Sequence, residues 1–334
     1  MLEGFTLTLI VVLGLAVAFD YINGFHDTAN AIATSVSTRA LAPSWAIGMS
    51  AVANFFGALT GTAVAHTIGS GLIDAHTGES QSVIAAALVG AIIWNLITWR
   101  LGIPSSSSHA LIGGLLGAAL ISAGVGSWQI DGVFNKVLVP LVGSPIVGFT
   151  LGLLLMALIF NVFRRAHPGR LNAFFRRLQV LSAAYMAFSH GSNDAQKTMG
   201  IMTLALVTAG VIPTFEVPLW VILVAASAIS LGTMAGGWRI IRTMGTKVVK
   251  LDPVHGFAAE TTAATVIFGA SHFGMPVSTT HVISSAIMGV GSSDRLRTVN
   301  WSVGRSIVTA WILTIPASGF SAAIAYLVLN PLLG

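Results

Sequence analysis

Two polar stretches sit inside long apolar runs and resemble each other. Asn23-Gly24-Phe25-His26-Asp27-Thr28-Ala29-Asn30 interrupts a run that begins at Phe5, and His190-Gly191-Ser192-Asn193-Asp194-Ala195-Gln196-Lys197 interrupts another. Acids, carboxamides, imidazoles and an ammonium are strongly disfavoured in a bilayer unless they face a cavity or a partner. Asp27 and Asp194 are suited to a cation, including Na+, and His26 beside Asp27 can carry a proton near neutral pH. Asn23 and Asn193 complete this candidate coupling-ion set. Asn30 and Lys197 offer donors to an anion, although a buried Asp194–Lys197 pair can also be purely structural. Gly24 and Gly191 are expected to break their helices and free backbone groups for a ligand.

A second pair supplies different chemistry. Gly102-Ile103-Pro104-Ser105-Ser106-Ser107-Ser108-His109 matches Gly274-Met275-Pro276-Val277-Ser278-Thr279-Thr280-His281. Proline suits the first turn of a helix. Hydroxyls and free N–H groups at the positive end of the helix dipole form a ready site for a tetrahedral oxyanion. Ser105, Ser106, Ser107, Ser108 and His109, with Ser278, Thr279, Thr280 and His281, are therefore the substrate-binding candidates, together with Asn30 and Lys197. Acids beside a bound anion repel it unless a cation or proton intervenes, so coupling to H+ or Na+ is expected. Phosphate can donate hydrogen bonds to such acids and sulfate at neutral pH cannot, which favours phosphate.

The elements that must position these residues are membrane segments. Of 334 residues, 54% are hydrophobic and 8% charged, with mean hydropathy +0.85 and net charge +5. A soluble domain carries about 25% charged residues. There is no cysteine, hence no disulfide or thiolate metal site. The first apolar run lacks the basic leader and cleavage site of a signal peptide. Apolar segments fall in two groups of five, separated by a basic stretch that starts at Arg164-Arg165 and ends at Arg176-Arg177. The motifs recur in the same order at nearly equal offsets, Asp27 matching Asp194 and His109 matching His281. An odd number of spans per half inverts the second half relative to the first. Inverted repeats with a midplane site are a common transporter architecture.

These four motifs resemble those of the PiT inorganic phosphate transporter family, over nearly the whole chain from about Phe19. The resemblance implies cation-coupled phosphate transport, with Asp27 and Asp194 serving the coupling ion and substrate and the Ser/Thr motifs holding phosphate. His26, where many members carry asparagine, resembles the bacterial low-affinity branch, which implies proton coupling and uptake of metal–phosphate complexes. The long central cytoplasmic domain of many relatives is absent, and any regulation it provides is not expected here.

The expected fold is therefore an all-α polytopic membrane protein: two inverted-topology repeats of about five membrane segments, with broken helices and an option of re-entrant hairpins at the serine motifs. Residues 1–163 and 178–334 form the repeats, joined by a basic loop at 164–177. The positive-inside rule puts that loop in the cytoplasm and both termini outside, in a bacterial plasma membrane. The expected activity is phosphate:cation symport by alternating access, with a sulfate permease or an anion channel as alternatives. No enzyme activity is expected: intramembrane Ser and His suggest a hydrolase only in passing, since the nucleophile elbow Gly-x-Ser-x-Gly is missing. No cofactor beyond the coupling cation and no nucleic acid are expected; the partners are phosphate, free or as a metal complex, and the lipid bilayer. The oligomeric state stays open, a homodimer included. Asp20 and Glu260 are intramembrane acids that either complete an ion site or make structural hydrogen bonds. Arg100 reads as a cytoplasmic anchor, and Trp94, Trp99, Trp128, Trp220 and Trp301 as interfacial belt residues.

Overall fold

The computed structural model describes residues 6–70, 72, 80–293 and 296–333. These are mostly helical, joined by short turns, with no strand among them. The first half contains α1 (Leu7–Ser37), α2 (Pro43–Ala58), α3 (Ala63–Ser70), α4 (Gln81–Leu101), α5 (Ser107–Ala123), α6 (Ile130–Val133) and α7 (Val139–Val162). The second contains α8 (Pro168–Thr208), α9 (Leu219–Ala235), α10 (Trp238–Arg242), α11 (Pro253–His272), α12 (Thr279–Ser292) and α13 (Trp301–Leu333). Wide π turns continue α6 into α7 and extend α10. Among the described residues, four stretches are long and apolar enough to cross a membrane, and up to six when each bent pair counts as one span. Large side chains such as Ile146, Leu154, Ile312 and Phe320 face outward. An exterior of that kind needs lipid for a solvent, so this is an integral membrane protein.

Two expectations about the backbone fail. Helix α1 runs unbroken through Asn23–Asn30, and α8 runs unbroken through His190–Lys197. Gly24 and Gly191 serve close approach instead: a Cβ on Gly24 would lie 2.2 Å from the Ile229 carbonyl oxygen, and one on Gly191 2.1 Å from that of Asn54. The true breaks are at other places, a 74° bend between α2 and α3 and a 62° bend between α9 and α10. The basic stretch is also mostly helix, because α8 already begins at Pro168 and carries exposed Arg170, Arg176 and Arg177 on its first turns.

Contacts between the halves occur twice with partners exchanged. Gly57 of α2 packs on the Phe188 carbonyl of α8, and Gly232 of α9 packs on the Tyr21 carbonyl of α1. Gly113 of α5 meets the Ser318 hydroxyl of α13, while Gly148 of α7 meets the Ser285 hydroxyl of α12. The same exchange positions the serine motifs. α4 and α5 pack as one hairpin, α11 and α12 as another. Each hairpin turns on a left-handed glycine, Gly102 at φ +67° and Gly274 at φ +68°. Only glycine takes that conformation without steric cost. The bent element of the opposite half holds each tip. Gly102 lies against Arg239 and its carbonyl accepts from Thr243 at 2.8 Å, and Gly274 lies against the Ala63 carbonyl.

Candidate functional site

Helices α1 and α8 pack against each other with their polar motifs buried, and the two hairpin tips close over them. One atom each from Asp27, His190 and Asp194 lies within 4.8 Å of the others, although the two acids come from opposite halves of the chain. Each acid has its own imidazole. His26 Nδ1 is 2.6 Å from Asp27 Oδ1, and His190 Nε2 is 3.2 Å from Asp194 Oδ2. The second distance suits an ion pair, but the hydrogen-bond geometry is not met. His190 is oriented by Asn54, whose Oδ1 is 2.9 Å from its Nδ1.

The serine motifs begin helices, but not where proline suggests. Ser106 caps α5 and Ser278 caps α12, each accepting from the histidine N–H three residues on, at 3.1 and 3.2 Å. Pro104 and Pro276 therefore fall two residues before the cap, in the connecting turn, rather than in the first helical turn. Caps of this kind satisfy one orphan N–H and leave others near the helix start unpaired. The two starts meet. His109 stacks on His281 with ring centres 4.8 Å apart, and Ser108 Oγ approaches the Val277 carbonyl at 3.5 Å.

Hydroxyls connect these starts to the acids. Thr279 donates to Asp194 Oδ2 at 3.1 Å, and Asn30 donates to Thr279 at 3.3 Å and Thr280 at 2.9 Å. Lys197 donates to Asp194 and to Ser108, and to the Val277 carbonyl at 3.1 Å. Ser105 donates to Thr98 at 2.8 Å and lies 3.4 Å from His26 Nε2. Ser107 Oγ is buried with no partner. One buried ammonium and a set of hydroxyls thus meet Asp194 directly, and Asp27 only through His26, by bonds that an entering anion can take over.

Not every candidate joins this centre. Asn193 turns its amide to Ser271 (2.9 Å) and the Met275 carbonyl (3.3 Å), tying α8 to the end of α11. His281 stacks on Trp311 at 4.1 Å with both ring nitrogens unpartnered, behind the hydroxyls. Sequence reading missed His190, Asn54, Thr98 and Trp311. His190 was readable from its i, i+4 spacing to Asp194, which becomes visible once α8 is continuous. Nothing local marks the other three. Glu260 is removed from the centre and accepts from Thr34, Ser182 and Gln179. Arg100 is exposed, with its carbonyl bonded by Arg239 at 2.6 Å.

A helical membrane protein with a closed, buried site of acids, imidazoles, an ammonium and hydroxyls is built to handle ions inside the bilayer. The model of the phosphate transporter family matches residues 23–322, and the chain belongs to that family. It is 50% identical over 326 residues to a probable low-affinity inorganic phosphate transporter of Bacillus subtilis, covering 97% of each chain. It is 48% identical over 320 residues to a protein of the same description from Rhizobium meliloti, covering 95% of each. A solved structure described as the sodium-dependent phosphate transporter superposes with a TM-score of 0.88 at 26% identity, over 98% of this chain and all of that one (100%).

Proposed function

We propose that this protein is a secondary active transporter that takes up inorganic phosphate in symport with a cation, H+ before Na+, by alternating access. The observation that carries the reading is the convergence of Asp27, His190 and Asp194 beside hydroxyls from two hairpin tips. In the anion-bound form phosphate takes hydroxyls of Ser105–Ser108 and Ser278–Thr280 and the Lys197 ammonium. The acids accept from its protonated oxygens. A proton on either His–Asp pair offsets the charge that phosphate adds. The names of the relatives support the substrate, and the name of the structural neighbour supports cation dependence. The halves 1–163 and 178–334 rock around this centre, with both termini outside and the Arg164–Arg177 region in the cytoplasm of a bacterial plasma membrane.

The test is uptake of labelled phosphate into proteoliposomes with proton and sodium gradients imposed separately. Uptake driven by either gradient, outcompeted by unlabelled phosphate and not by sulfate, is expected. Gradient-independent flux would mean a channel, and stronger inhibition by sulfate would mean a sulfate permease. Adding Mg2+ separates free phosphate from its metal complex as the carried species. Asp27→Asn and Asp194→Asn are each expected to abolish driven uptake while the protein still reaches the membrane. Wild-type uptake in both would reduce the acids to structural groups.

A further inference from the structure

The exchange that relates the halves carries the pair α4–α13 onto the pair α11–α7, and only the first is sealed along its length. Ser82 donates to Asn330 at 2.9 Å, a Cβ on Gly90 would lie 2.6 Å from Ala322, and Trp94 Nε1 donates to Thr314 at 3.1 Å. The offset that carries His109 onto His281 carries Ser82, Gly90 and Trp94 onto Val254, Thr262 and Val266. The matching contacts Gly113–Ser318 and Ser285–Gly148 carry Asn330 and Thr314 back onto Phe160 and Ser144. None of the three contacts can re-form. Val254 and Val266 have no donor, and Thr262 carries a branched side chain where Gly90 has none.

A cavity stands at each lost contact. One of about 310 Å3 is lined by Val254 and Phe160, one of about 290 Å3 by Thr262, and one of about 470 Å3 by Val266 and Ser144. The last two share Leu151 and Thr265, and the first lies just past the contact of the Phe160 and His255 rings. Thr262 is 5% and Ser144 7% exposed, and neither hydroxyl has a hydrogen-bond partner among the described residues. Buried polar groups are rarely left so in a packed interface.

The two ends of this cleft differ in chemistry. Leu151, Leu154, Leu155 and Leu158 line its middle. Arg164 and Asn172 line the end beyond Phe160, where Asp252 is the one acid and Arg165 and Arg170 are exposed close by in the chain. From Leu151 to Val162 a helix rises about 16 Å, close to the roughly 15 Å of hydrocarbon in one leaflet. An acyl chain fits that length, and a basic end fits an anionic headgroup. A second copy fits less well, because a two-fold axis along the membrane normal would set its basic cluster against this one.

We infer that an anionic phospholipid docks here, with its headgroup on Arg164 and Asn172 and one acyl chain in the cleft between α7 and α11. The site uses none of the residues of the transport reading above.

The experiment is native mass spectrometry of the purified full-length protein in detergent, titrated with dioleoyl phosphatidylglycerol, with dioleoyl phosphatidylcholine, and with the former plus excess inorganic phosphate. The wild type should hold one phosphatidylglycerol, more tightly than phosphatidylcholine and undisturbed by phosphate. Arg164→Ala should weaken it about fivefold, the share of one arginine beside an anionic headgroup. Thr265→Trp, at an exposed position, puts a ring into the cleft and should lower retention of both lipids. Arg164 is exposed, so its variant decides the matter even where Thr265→Trp does not fold. Equal retention of the two lipids by the wild type, or wild-type retention of phosphatidylglycerol in both variants, overturns the site. Displacement by inorganic phosphate would make the basic end a free-phosphate site and overturn it too. So would a lipid-free two-chain species that disappears in Thr265→Trp, which would mean that a second copy covers the cleft.

Discussion

Two places related by the exchange of halves are sealed in opposite ways. Near the C-terminal end of α1 and the start of α8, Glu260 of α11 accepts from Thr34, Ser182 and Gln179, and Thr38 donates to Gln179 at 2.7 Å. The offset between Asp27 and Asp194 carries Thr34, Ser182, Gln179 and Thr38 onto Ile201, Leu15, Val12 and Ala205. The offset between His109 and His281 carries Glu260 onto Leu88. Four of those belong to one apolar cluster, and Leu15 packs against it. A hydrogen-bonded seal can exchange its bonds for water at small net cost, since each is worth only about 0.5–1.5 kcal/mol net. An apolar seal must expose its surface, at roughly 25 cal/mol per Å2. The two ends of this bundle therefore differ in how readily water enters. The polar end is the one flanked by Arg39, Arg176 and Arg177.

Moving the chemistry of one seal into the other should have the largest effect. Leu88→Glu places an acid in the apolar cluster that also holds Val12, Ile201 and Ala205, whose side chains offer no donor. We expect a loss beyond about 5 kcal/mol and little monodisperse protein after detergent extraction. Normal recovery would show that the apolar seal already admits water. Glu260→Ala strands the donors of Thr34, Gln179 and Ser182 and should cost roughly 3–6 kcal/mol, read as a lowered unfolding temperature in detergent. An unchanged temperature would mean that water already serves those groups. Leu88→Ala should cost about 3 kcal/mol by leaving a cavity, measured the same way.

Accessibility gives a smaller but direct contrast. The chain has no cysteine, so single cysteines can be compared without background. Thr38→Cys should react with a small polar thiol reagent at least about tenfold faster than Ala205→Cys, matching an opening difference of about 1.4 kcal/mol. Equal rates would erase the comparison. Thr34→Val removes one of several donors to Glu260 and should cost only about 1 kcal/mol.

Much of the site was legible because it is written in types that a membrane does not tolerate idly. Asp27, Asp194, Lys197 and the two Ser/Thr runs declared themselves by their chemistry, and all of them converge. The backbone details were not legible. Gly24 and Gly191 were read as breaks, because glycine permits a break and a close approach equally well. Only the neighbouring carbonyls of Ile229 and Asn54 decide between them. Pro104 and Pro276 were placed one turn too far along for a similar reason: proline marks a turn or a helix start, and Ser106 and Ser278 take the cap.

By itself the sequence determined that this chain lives in a bilayer, and that its polar motifs come in two pairs, each bringing acids and a hydroxyl-rich helix start. Composition and periodic polar motifs are local properties, and they survive without any knowledge of contacts. Tertiary structure alone decided that the Lys197 ammonium also reaches Ser108 and the Val277 carbonyl, and that Glu260 is held by Thr34, Ser182 and Gln179. Those pairings depend on which face of α1 meets which face of α8. Each of those helices is seated on a neighbour from the other half, Gly24 of α1 against the Ile229 carbonyl and Gly191 of α8 against the Asn54 carbonyl, contacts between residues far apart in sequence.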